Sequence, residues 1–111
     1  MKRHVAVTPR ARAQICSAAV WWAENRSSIQ AAQWLTRLEL AISGLAENGD
    51  RQPLAAESDA FEFELRQLLF GLSGKRTHRV LFAIHDQRIV VYAVRHLAQR
   101  DIDRTDIEQD L

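Results

Sequence analysis

The chain reads as an α+β fold of order β-α-α-β-β-β, an antiparallel sheet with a helical hairpin packed on one face and room for a short C-terminal helix. Three observations lead there. Apolar residues recur at helical spacing through the first half of the chain. The period changes to two near residue 60. Clusters of Pro, Gly, Ser and Asn fall where each pattern stops.

Each element follows from its residues. Val5 and Val7 share one face of a short β-prone run. Thr8-Pro9 then supplies an N-cap and a proline at the first helical position. Ala11, Ile15, Ala18, Ala19 and Trp22 follow at helical spacing, and Asn25-Arg26-Ser27-Ser28 breaks that helix. Either serine can cap a second helix, whose stripe is Ala31, Leu35, Leu38, Ile42 and Leu45. Gly49 offers a left-handed stop. Residues 51–60 read as a loop. Phe61, Phe63 and Leu65 alternate with Glu62, Glu64 and Arg66, which predicts a half-buried strand, with a bulge where Leu68-Leu69-Phe70 breaks the alternation. After the Gly71–Lys75 turn, Val80, Phe82 and Ile84 point one way and Arg79, Leu81, Ala83 and His85 the other. Asp86-Gln87 turns into a final strand, Ile89 to Val94, and Ile102 and Ile107 can anchor a terminal helix.

The chain has 111 residues, 47% of them hydrophobic, enough for one core and one domain over residues 1–111. Net charge is +1, but residues 101–111 carry five acids and one base, so the remainder stands at +5. A moderately basic body suits a nucleic-acid or acidic-protein partner. Cys16 is the sole cysteine, which excludes an internal disulfide and fits a reducing cytoplasm. No apolar run reaches signal-peptide or membrane-span length, so no membrane role is expected. His4, His78, His85 and His96 lack metal-ligand spacing, so no metal or cofactor is expected.

The chemistry-bearing feature is one arginine on each of the last three strands: Arg66, Arg79 and Arg95. On an open sheet face such guanidinium groups would meet anionic partners. The competing reading is ion pairing, with Glu62 or Glu64 as partner for both Arg79 and Arg66. Trp21 and Trp34 are expected on the hairpin's flank, partly exposed, where a partner could cover them. Tyr92 reads as packing.

Several of these segments together resemble the RelE/ParE toxins of bacterial type II toxin–antitoxin pairs. They are Val7-Thr8-Pro9-Arg10-Ala11, Trp21 to Ser27, Glu64-Leu65-Arg66 with its glycine turn, His78 to Ile84, and Val94-Arg95-His96. The resemblance implies a cytoplasmic growth inhibitor held silent by a cognate antitoxin in a hetero-oligomer. It allows two targets: DNA gyrase, or mRNA cut on the ribosome. If the chain is a nuclease, Arg79 is implied as the support of the scissile phosphate, with Arg95 and His96 where a general acid or base belongs. The nuclease branch carries lysines where this chain has Glu62 and Glu64, and a terminal tyrosine that this chain lacks. Those departures favour the gyrase branch. A non-toxic nucleic-acid-binding module and an inactive toxin remnant remain the readings from other classes.

Overall fold

A computed structural model describes residues 2–107. Thr8 caps the first helix as its sequence predicts: its hydroxyl accepts from the Ala11 amide at 3.1 Å, and α1 runs Pro9–Asn25. Ser27 is the serine that caps the second, accepting from Gln30 N at 3.0 Å, and α2 runs Ser28–Asn48. With so short a link the helices lie as an antiparallel pair. Strands β1 (His4–Val7), β2 (Arg66–Phe70), β3 (His78–His85) and β4 (Arg88–His96) form one sheet in the order β1-β4-β3-β2. The pairs β2–β3 and β3–β4 are antiparallel, while β1 crosses the helix pair and joins β4 in parallel. The C-terminal element is a 3-10 turn, Arg104–Asp106, rather than a full helix.

The hairpin packs on one face through Ile15, Trp34, Leu38, Ile42 and Leu45, against Val80, Phe82, Ile89 and Val91 of the sheet. Trp34 belongs to this stripe and is fully buried, so the expectation of an exposed flank position is corrected. Leu35, assigned to the stripe from spacing, is half-buried at its margin. Gly49 is also not the left-handed stop expected, for its φ is −57°. Its small size matters instead, because a Cβ there would lie 2.9 Å from Ile89 Cδ1.

The second face departs most from expectation. It is covered, not open. Residues 51–65 and 97–107 drape across it and bury Leu65, Leu81, Ala83, Val90, Tyr92, Ile102 and Ile107 in a second cluster. The predicted strand over Phe61–Leu65 is part of this covering layer. Phe63 stacks on Tyr92 with ring centroids 5.4 Å apart, and Leu65 is sealed beneath. Alternation there records a segment resting on an apolar face, and the strand begins only at Arg66. The expected bulge in β2 is absent from its regular pairing with β3. The irregularity lies between β3 and β4 at Leu81/Phe82, where Tyr92 is the extra residue. The physical reason for the second layer is plain in β4. Ile89 to Val94 is apolar at every position, and such a strand requires cover on both sides.

Candidate functional site

Arg79 and Arg95 are directly opposed on β3 and β4 and face the covered side. They are only 7% and 8% exposed. Arg79 meets neither Glu62 nor Glu64. Its Nη1 donates to Glu57 Oε1 at 2.8 Å and its Nη2 to Glu57 Oε2 at 2.5 Å, a bidentate pair in the interior. Gln67 Oε1 at 3.3 Å and Asp101 Oδ1 at 3.7 Å complete its surroundings. Glu57 Oε2 also accepts from the Ile102 amide at 3.1 Å. Burial works against the Glu57 charge, but the Arg79 and backbone hydrogen bonds outweigh it and hold the carboxyl below the usual carboxylate range. No spacing in the sequence marked Glu57, which lies in the loop before β2.

Arg95 donates from Nη2 to the Arg100 carbonyl at 2.8 Å, and its buried Nε has no acceptor. Burial lowers the affinity of its guanidinium for the proton, an effect that Asp106 opposes. Arg100 in turn holds Asp106 through paired contacts of 3.0 and 2.8 Å. Those hydrogen bonds keep the Asp106 carboxyl low. The two arginines therefore staple the C-terminal segment over the sheet.

Arg66 does not join them. Its register partner is Phe82, which places it on the helix side of the sheet, and its guanidinium binds the Gln52 carbonyl at 2.7 Å and Glu64 at 3.3 Å. Glu64 is thus the ion-pair partner that the sequence offers for Arg66. The expectation of three guanidinium groups on one bare face is thus corrected. A half-turn of register separates Arg66 from the others, and the covering segments enclose the rest.

His96 is separate again. It ends β4 on the helix side, exposed, with Nδ1 accepting from the Ala98 amide at 3.0 Å. Its ring lies 5.2 Å from that of His78, which in turn lies 5.2 Å from Trp34. Burial, and secondarily the nearby His96, pushes His78 down to about 4, so it is neutral at physiological pH. His78 and His85 face opposite sides, as their odd spacing requires: His85 meets Tyr92 Oη at 3.0 Å on the covered face.

Both His78 and His96 line a half-open groove of about 640 Å³ between α1 and the ends of β3 and β4. One wall is a helical stripe, Arg10, Gln14, Ser17 and Trp21. Trp21 is 50% exposed and meets Trp22 edge to face at 5.6 Å. Its expected exposure on the hairpin is met; Trp34 has none. Sequence reading singled out Trp21 but not the groove, because His78, Val94 and His96 reach it only through strand pairing. Among the described residues no group of His, Cys, Asp or Glu could hold a metal ion, and no helix is long and apolar enough to cross a membrane.

Residues 5–101 match the family model described as the ParE toxin of the type II toxin–antitoxin system, parDE. None of the curated proteins matches the chain. Among solved structures it is similar to a chain of the chromosomal ParDE toxin–antitoxin system from P. aeruginosa, with a TM-score of 0.68 and 12% identity. That likeness covers 86% of this chain and 96% of the other, and supports the shared fold. With the family match spanning nearly the whole chain and the sheet and hairpin agreeing with it, the protein belongs to the ParE toxin family of type II toxin–antitoxin systems.

Proposed function

We propose that the chain arrests bacterial growth by interfering with DNA gyrase and is neutralised by a cognate antitoxin. The observation that carries the choice of target is the buried Arg79–Glu57 pair. A guanidinium forked onto a carboxylate at 2.5–2.8 Å and only 7% exposed has its charge neutralised and is shielded from a scissile phosphate. Arg95 lies beside it under the same cover, while His96 opens to the opposite side. Glu62 and Glu64 are exposed and would repel an RNA backbone. A mode of action that needs no phosphate-cleaving set suits this arrangement better than ribosome-dependent mRNA cleavage.

The test is controlled expression of the chain without its antitoxin, paired with a supercoiling assay on purified gyrase. Growth arrest, induction of the DNA-damage response and loss of supercoiling are expected, with message left intact. Co-expression of the antitoxin should restore growth. Codon-dependent cuts in translated mRNA with supercoiling unaffected would overturn the assignment of target. Normal growth with soluble protein present would overturn toxicity itself.

A further inference from the structure

We propose that the groove between α1 and the ends of β3 and β4 binds a free purine mononucleotide, its base laid on the Trp21 indole and its phosphate on Arg26. The inference stands apart from the toxin reading, because it needs only this chain and a small aromatic anion.

Size and walls set the class of ligand. A half-open space of about 640 Å³ accommodates one small molecule and leaves one side to water. Trp21 stands half-exposed in it, a flat apolar face of the kind on which a nucleobase stacks. A purine covers more of that indole than a pyrimidine does. Trp22 stands at 89° to Trp21. The corner they make holds one ring stacked on one indole and has no parallel slot for successive bases. Along α1 the neighbouring positions Ser17 and Ala18 are small, so the approach to Trp21 is unobstructed from that side.

Charge selects an anion. No Asp or Glu lines the groove, whereas Arg26 does, and its exposed guanidinium has no carboxylate partner among the described residues. Arg26 follows Trp21 by five residues, about 7 Å of helical rise. That separation suits the ribose standing between a base and its 5′-phosphate. The planar fork of Arg26 can meet two phosphate oxygens at once. Arg10, at the opposite end, is held by the carbonyls of Thr105 and Asp106, which directs the phosphate to Arg26. An uncharged aromatic would use Trp21 and leave Arg26 in water; inorganic phosphate would use Arg26 alone. A ligand carrying both parts engages both residues.

The walls are set before any ligand arrives. Gln14 Oε1 accepts the Val94 amide at 2.8 Å, which ties α1 to β4. The His78 ring packs between Trp34 and His96 and is anchored at Nδ1 by Thr77 Oγ1 at 2.8 Å. Ser17 and Gln99 are exposed and line the same space, neutral polar groups suited to ribose hydroxyls. A preformed site reduces the ordering cost of binding.

Calorimetric titration of the full chain with adenosine 5′-monophosphate tests the proposal, and NMR of the indole N–H signals locates the ligand. Saturable binding with a Kd below about 1 mM is expected. The Trp21 signal should move, and that of the fully buried Trp34 should not. Adenosine alone and inorganic phosphate alone each lack one half of the ligand and should bind at least tenfold more weakly. Trp21→Ala and Arg26→Glu alter exposed positions. Each should weaken the mononucleotide at least tenfold, with far-ultraviolet circular dichroism unchanged. Absence of saturation at about 10 mM nucleotide overturns the proposal. So does binding within twofold of the parent in both variants, or inorganic phosphate binding as tightly as the mononucleotide. Oligodeoxyadenylate binding tenfold tighter than the mononucleotide, and lost in Trp21→Ala, also overturns it and assigns the groove to a nucleic-acid strand. These readouts involve neither antitoxin nor growth, so their failure leaves the toxin reading intact.

Discussion

Replacing Glu57 with glutamine isolates the contribution of the buried ion pair. Glu57 Oε1 accepts one Arg79 donor at 2.8 Å, and Oε2 accepts the second at 2.5 Å together with the Ile102 amide at 3.1 Å. Glutamine keeps the volume but offers one oxygen and one NH₂ group. Whichever end the nitrogen takes, at least one donor then faces a donor. The larger effect is charge. Arg79 stays 7% exposed with Gln67 at 3.3 Å and the solvated Asp101 at 3.7 Å as its remaining partners. Breaking a buried pair from one side costs about 3–5 kcal/mol, and the lower end applies here because Asp101 remains in range. A loss of about 3 kcal/mol is expected in urea unfolding with the slope unchanged, equivalent to roughly 12 °C in melting midpoint. Glu57→Leu combined with Arg79→Met removes both charges and should return to within about 1 kcal/mol of the parent. A loss below about 1 kcal/mol for the glutamine variant, or a double variant less stable than the single one, would refute the reasoning. On the proposed target, the double variant should also still arrest growth.

Two further outcomes follow from the helix-side core. His78 is neutral when folded, with its value pushed down to about 4, whereas an unfolded imidazole binds a proton near 6.5. Its contribution to stability is therefore complete above pH 6.5 and is lost as pH falls toward 4, by about 3 kcal/mol. Chemical denaturation from pH 7.5 to 4 checks this, and a His78→Gln variant should show a correspondingly flatter profile. Trp34→Ala should cost about 3–5 kcal/mol because the indole is fully buried beside Phe70 and His78. Trp21→Ala should cost under about 1 kcal/mol, since half of that side chain already faces solvent. Equal losses at the two positions would contradict their placement.

Local chemistry alone determined the elements on the helix side. Thr8-Pro9 and Ser27 define their caps through bonds spanning three residues, and a period of 3.6 marks the buried stripe whatever it packs against. Strand parity likewise separated Val80 and Phe82 from Arg79 and Leu81 before any partner was known. The second face was also partly legible, because Ile89 to Val94 has no polar side to give to water. What covers it was not. Glu57 comes to Arg79 from 22 residues away, and the Ile102 amide to Glu57 from 45 away. Sequence spacing carries no record of such closures. Only the tertiary structure turned three strand arginines into two stapled in the interior and one on the other side, and only strand pairing brought His78 and His96 beside α1 to form a groove. Short-range bonds and periodicity depend on neighbours in the chain, whereas burial of a charge depends on which distant segment lies over it.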